Sequence, residues 1–418
     1  MKINKFYLFL VGLYLFVSGA SYGFFTYAAQ STPFTFLKPG SEMKKTADVK
    51  TATAKESKLK VLLDVSGPKT EMCPLNGQLY TKAEKEAWSK RRPLLVMIEN
   101  HQDSRPQSGL LSTDIVYETV AEGGITRFMG VFYCAAQANE VIVGPVRSAR
   151  TYFLDWASEY GDNPLYAHVG GANCNIKTGS GCANGAKADA LGQIIKYGWG
   201  GAKGNDLNQF SIGYPTFLRD YDRLGHTVAT EHTVYSSTDK LWKVAANRGW
   251  NYEDEDGNAW DEDFVPWKFR DENTASMSGK TANYVAYDFW SNSPAGDYSV
   301  SWQYDPQKKV YLRSNAGQKH LDLNYNQQLN TRNIVVMYSR ETHANDGYPN
   351  NPHLLYATIG SGKGVLFQEG QAEDITWKKK TRKDRTIFTD KSGKEVKFAP
   401  GRIWISNLPL DNNSLSFK

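Results

Sequence analysis

From Phe6 to Ala29 the chain carries no charged side chain. As a helix rising about 1.5 Å per residue, such a run can cross a hydrocarbon core of about 30 Å. Lys2 and Lys5 precede it, a bias that keeps the N-terminus inside. Everything beyond the run then folds outside the cytoplasm. Two readings share that consequence. In one the segment stays as a membrane anchor, which its aromatic extension through Phe24, Phe25 and Tyr27 favours. In the other it is a cleaved signal peptide, with Phe6 to Val17 as the apolar stretch and Ser18-Gly19-Ala20 as the small-x-small site. No cysteine precedes Cys73, so a helix is the expected attachment rather than a lipid on an N-terminal cysteine.

The net charge of +5 at first points to nucleic acid, but its location argues against that partner. Lys2 and Lys5 contribute two of these charges, and residues 30–70 add four more through eight lysines against four acids. That leaves 71–418 one charge below neutral, whereas a nucleic-acid domain carries its basic excess on the folded surface. The excess sits in the Thr/Ala/Ser/Lys-rich stretch Thr46 to Lys60, within a flexible basic tether spanning 30–70. The four cysteines fit an oxidising compartment. Cys174 and Cys182 bracket a Gly/Ser/Asn-rich loop and are expected to pair, and Cys73 and Cys134 are the remaining candidates for a bridge.

Beyond the tether, Thr81 to Arg92 reads as helical. Short apolar runs follow at Leu94–Ile98, Ile115–Val120, Ile125–Phe132 and Val141–Val143, each bounded by Gly, Pro, Asn or Asp. A helix is expected from Ser148, with Tyr152, Phe153, Trp156, Ala157 and Tyr160 at helical spacing. A strand at Leu165–Val169 and a helix near Ala190–Tyr197 complete an α/β domain over 71–240. The acidic, aromatic stretch Trp250 to Asp263 reads as a boundary. Past it the helical signal fades into many short strands, a mostly antiparallel β domain over 260–415. The expected fold is thus an α/β N-terminal domain plus a mostly antiparallel β C-terminal domain, preceded by one N-terminal transmembrane or signal helix (1–29).

Unusual polar residues are densest between Glu99 and Gly171. Strand alternation places Asp114, Glu118 and Glu122 on one face. Arg127 follows a double glycine, and Gly144-Pro145-Val146-Arg147-Ser148-Ala149-Arg150 runs from a strand end toward a helix. Arginines at a helix N-terminus are unfavourable unless an anion shares the spot, where their forks and the backbone N–H groups converge on it. The expected anion site comprises Arg105, Arg127, Arg147, Ser148, Arg150 and His168. Asp114 and Glu118 are placed to hold a divalent cation such as Mg2+. A structural network of the same arginines and carboxylates is the competing arrangement. His226 and His232 are too widely spaced for a metal motif and read as loop residues.

These motifs carry a resemblance. Val96-Met97-Ile98-Glu99-Asn100-His101, Arg105-Pro106-Gln107-Ser108-Gly109-Leu110, Glu122-Gly123-Gly124-Ile125-Thr126-Arg127-Phe128 and Gly144 to Arg150 resemble the YerB-like family of exported bacterial envelope proteins. So do His168-Val169-Gly170-Gly171 and Pro400-Gly401-Arg402-Ile403-Trp404-Ile405. The family has no assigned function and is usually exported as lipoproteins. At the level of motif order, Arg105, Asp114, Arg147 and Arg219-Asp220-Tyr221-Asp222-Arg223 are also similar to the LytR–CpsA–Psr phosphotransferases, which act on lipid-pyrophosphate-linked glycans. The resulting expectation is a membrane-tethered envelope protein that binds a phosphorylated cell-wall or glycan precursor and, if it is an enzyme, transfers or hydrolyses at its phosphate. A non-catalytic envelope scaffold, or a glycan- or protein-binding module, is the alternative.

Overall fold

The computed structural model describes residues 59–173, 187–201, 204–254, 256–271, 279–290, 293–348 and 352–418. The expected anchor, most of the tether and the Cys174–Cys182 bridge lie outside the described residues. No described helix is long and apolar enough to cross a membrane.

The described chain is strand-rich, with several sheets and a few short helices. Eleven strands form the central sheet: β1 (Leu94–Glu99), β2 (Ile115–Glu122), β3 (Ile125–Phe132), β4 (Leu165–His168), β5 (Asp206–Asn208), β6 (Lys280–Thr281), β7 (Asn333–Ser339), β8 (Gly360–Gln368), β9 (Gln371–Lys379), β10 (Ile387–Thr389) and β11 (Ile403–Pro409). Their order is β6-β9-β8-β7-β11-β2-β3-β1-β4-β5, with β10 paired to β9 off this path. Segments 71–240 and 260–415 therefore contribute strands to one continuous sheet.

The second half pairs mostly antiparallel, as expected, and β11 is the main exception. β11 inserts between β7 and β2 and runs parallel to both. The reason is visible in composition: Ile334–Met337 and Ile403–Ile405 are unbroken apolar runs, buried on both faces, as parallel strands require. β1 and β4 are also parallel, as are β4 and β5, while β3 opposes both β1 and β2. Consequently β1, β2, β4, β5, β7 and β11 all point the same way.

A second, six-stranded sheet built around Val300–Asp305 and Val310–Asn315 packs on one face. Trp302 meets Trp404 edge-on at 5.2 Å, and Tyr287 Oη lies 2.7 Å from Ser406 Oγ. On the opposite face the helix Thr151–Ala157 stacks Trp156 against Tyr117 at 5.2 Å. This helix begins at Thr151, with Arg150 as its cap, not at Ser148. The preceding residues are held in the sheet instead, because Arg147 N–H donates to Met97 O and Ala149 N–H to Gly170 O.

Cys73 and Cys134 are joined as a disulfide, with Cα atoms 6.0 Å apart and a sequence separation of 61. It staples the segment before β1 to the chain leaving β3. Closing so long a loop restricts the unfolded chain. Replacing both cysteines by serine is expected to lower stability by about 2–5 kcal/mol in denaturant unfolding. An unchanged midpoint would show that hydrogen bonds alone hold this segment.

Candidate functional site

The parallel strands bring their carboxyl ends to one edge, the edge that carries ligands in doubly wound α/β sheets. Here it collects Glu99 from β1, Glu122 from β2 and His168 from β4. The antiparallel β3 starts at the same edge and places Arg127 in register with Glu99. The 144–150 segment crosses this edge, held by Met97 on one side and Gly170 on the other.

Glu122 does not share a face with Glu118. A register shift between Val120 and Glu122 interrupts the alternation, as a bulge does, and re-aims the Glu122 carboxylate. It meets Arg127 Nη2 at 3.1 Å and Arg150 Nη2 at 2.5 Å. His353 Nε2 lies 3.3 Å from the same carboxylate, and its Nδ1 is 2.6 Å from Asp346 Oδ2. Burial pushes the Glu122 carboxyl up, but Arg127 and Arg150 outweigh it and hold the group well below the usual carboxylate range. Burial, and next the nearby Arg150, lower the Arg127 guanidinium to about 10.

Arg147 pairs with Glu99 instead, Nε to Oε1 at 3.2 Å. The other Glu99 oxygen lies 2.8 Å from Nδ1 of His232, so this histidine is joined to the site despite its distance in sequence. Three guanidinium groups thus face two carboxylates at this edge, with Asp346 taken by His353. The Nε atoms of Arg127 and Arg150 are buried and make no hydrogen bond within the protein, whereas that of Arg147 faces Glu99. Ser148 contributes its carbonyl oxygen, which accepts from Arg127 Nη1 at 3.2 Å.

The remaining expected residues are elsewhere or occupied. Both ring nitrogens of His168 are engaged, by Gly170 O at 2.6 Å and Asp206 Oδ1 at 2.7 Å, so it clamps β4 to β5. Arg105 turns to Asn100 and lies over the Tyr298 ring at 5.0 Å. Asp114 and Glu118 do not form the expected metal pair. Asp114 lies at the opposite edge, buried by the disulfide, accepting from Asn76 Nδ2, Tyr133 N and Ala135 N. Glu118 is fully buried, with Arg313 Nη2 at 2.9 Å, Trp404 Nε1 at 2.9 Å and Thr126 Oγ1 at 3.0 Å saturating its oxygens. Arg219 and Arg223 likewise bind elsewhere, Arg223 to Ser108 and Asn324.

Sequence reasoning missed Arg313, His353 and the partnership of His232. Each sits on a segment whose spacing carries no motif, and only the folded sheet brings it near.

Two family models match the chain, the N-terminal domain of a protein of unknown function (DUF3048) over 80–251 and its C-terminal domain over 288–405. The chain belongs to this YerB-like family of unknown function. It is 30% identical over 347 residues to "Putative lipoprotein YerB" of Bacillus subtilis (strain 168), covering 82% of this chain and 88% of that protein. It is also similar to the crystal structure of the YerB protein from Bacillus subtilis, with a TM-score of 0.64 and 25% identity. That match covers 84% of this chain and 100% of the other.

Two outcomes test the placement of the carboxylates. Glu118→Gln leaves Arg313 buried without a counter-charge and is expected to cost about 3–5 kcal/mol of stability by denaturant unfolding. Replacing both, Glu118→Leu with Arg313→Met, recovers a large part of that loss. Asp114 offers a pH test, because burial pushes its carboxyl up to about 7 from an ordinary 3.8. A raised folded pKa favours the folded state fully below about 4 and loses that contribution as pH rises through about 7. The unfolding free energy of Asp114→Asn, lower throughout for want of an acceptor, should lack this decline when compared with the parent chain.

Proposed function

We propose that this chain is a membrane-tethered extracytoplasmic envelope protein that binds a phosphorylated cell-wall or glycan precursor at the carboxyl edge of its central sheet. The location draws on the charge-free Phe6–Ala29 segment and on the lipoprotein name of the YerB relative. The binding reading draws on one observation: the guanidinium groups of Arg127, Arg147 and Arg150 gather around Glu99 and Glu122, and the Nε atoms of Arg127 and Arg150 are buried without a hydrogen bond. Like charges held together in a poorly solvated site repel, and a phosphate supplies both the missing charge and acceptor oxygens for the guanidinium forks. Arg147 and Glu122, whose side chains are 21% and 24% exposed, give the ligand its access. The reading is one of binding, since His168 and His353 both spend their ring nitrogens on protein partners.

A second reading follows from a cleft of about 830 Å³ at the opposite edge. Lys69, Arg270, Arg332 and Arg402 line it with Asn76, Gln78 and Asn330, a basic and amide-rich wall suited to an anionic glycan without chemistry. The two separate cleanly by mutation. With a polyprenyl-phosphate-linked disaccharide as probe, Arg147→Ala is expected to weaken binding about tenfold or more, as lost charge-assisted hydrogen bonds do. Its melting temperature should change little. Lys69→Glu should leave that binding intact. A large stability loss in Arg147→Ala with unchanged affinity would assign these arginines to the fold, and sensitivity to Lys69→Glu alone would move the ligand to the cleft.

A further inference from the structure

We propose that His101, Asp103 and His232 form a binding site for a divalent transition cation of the zinc class. Their ligand atoms lie within 4.8 Å of one another. His101 and Asp103 sit on the turn that leaves β1, and His232 ends the short turn Thr230–His232. The inference is independent of the anion reading, because it requires no arginine to touch a phosphate.

The strongest support lies behind His232. Its Nδ1 is 2.8 Å from Glu99 Oε2, and a carboxylate there accepts the Nδ1 proton. That fixes the tautomer with the lone pair on Nε2. Glu99 is fixed in turn by Arg147 on its other oxygen. A carboxylate on the far nitrogen is the arrangement that orients metal-ligating imidazoles and raises their basicity.

The front of the site agrees. His101 Nδ1 accepts the Asp103 backbone N–H at 3.3 Å and lies 3.7 Å from Asp103 Oδ2, and a cation bound at this nitrogen would take the place of that backbone hydrogen bond. The His101 and His232 rings are stacked, with centroids 4.6 Å apart and planes inclined by 15°. Bonds of about 2.0–2.1 Å set neighbouring zinc ligands about 3.3 Å apart. Side-chain rotation on the turn can close the difference, since His101 and Asp103 are 30% and 65% exposed while His232 is held at 7%. Glu231 lies within electrostatic reach of His101, His232 and Arg147.

Two imidazoles and one carboxylate favour zinc-class ions over Mg2+, which prefers an all-oxygen shell. Three protein ligands leave a fourth position for water. This is a different place and a different donor set from the Asp114–Glu118 pair.

The test uses the full chain, purified without a polyhistidine tag and titrated with Co2+ and then Zn2+. One Co2+ per chain should bind with a visible absorption band, and Zn2+ should displace it. His101→Ala and Asp103→Asn should each weaken Co2+ binding by about tenfold or more. Glu99→Gln, which acts through His232, should weaken it by about 10–100-fold. His226→Ala is the control and should leave binding unchanged. His232 is buried against Glu99, so the decisive variants are the two on the exposed turn, with their melting temperatures measured alongside. Absence of saturable one-to-one binding, or binding unaffected by both turn variants, overturns the proposal.

Discussion

Arg313 reaches from the second sheet into the central one and meets Glu118, with neither side chain exposed. Removing both charges from water is costly, and the arrangement around them shows how the cost is offset. The guanidinium lies 4.6 Å from the Trp404 ring centroid and 5.1 Å from that of Trp302. Its Nε donates to His320 Nδ1, which burial, and next Arg313 itself, keep neutral by lowering the imidazole well below its ordinary range. The neutral ring passes a hydrogen bond to Gln107 Oε1, and Gln107 donates to Glu99 O and Asn100 Oδ1. Asn100 donates to Thr126, which donates to Glu118 and closes the circuit. Buried pairs of this kind add little net stability over apolar residues, yet they admit few alternative registers. Here the pair fixes how the second sheet docks and, through Gln107 and Asn100, where the end of β1 sits.

That end matters because strand direction decides which charges meet. The shared direction of β1, β2 and β4 brings Glu99, Glu122 and His168 to one edge and sends Asp114 to the other. The bulge after Val120 then separates Glu118 from Glu122. One carboxylate faces the second sheet and holds the fold, and the other faces the arginines. Residues four apart on one strand thereby serve different ends of the molecule.

Much of the sheet was legible in the sequence. The runs at Leu94–Ile98, Ile115–Val120 and Ile125–Phe132 are strands because β-branched and aromatic residues there are bounded by turn formers. The Cys73–Cys134 bridge was legible as compartment chemistry. The antiparallel pairing of the second half was legible too, but the parallel insertion of β11 was not, since an apolar run such as Ile403–Ile405 pairs equally well either way until its neighbours are known. The bulge was also hidden, and with it the failure of Asp114, Glu118 and Glu122 to share a face. The helix was placed at Ser148 from a polar residue ahead of an aromatic stripe, but Arg147 and Ala149 satisfy their backbone groups in the sheet first. His232 gave no signal at all. It is linked to Glu99 from 133 residues away, and local spacing carries no information over that distance.

Glu99 is the element that ties these features together. One oxygen holds Arg147, the most exposed of the three clustered arginines, and the other holds His232. Its backbone is fixed from both sides, N–H donating to Pro145 O and carbonyl accepting from Gln107 Nε2. A carboxylate so placed cannot follow one partner without disturbing the other. Drawing Arg147 toward an anion removes a cation from Glu99 and leaves more negative charge on the oxygen facing His232. That change strengthens the imidazole as a donor to a metal. Conversely, a cation on His232 draws electron density from Glu99 through the imidazole and weakens its hold on Arg147, freeing the guanidinium for phosphate. Were both proposed occupants bound, they would be linked through this single buried side chain, and any coupling between them would be equal in both directions.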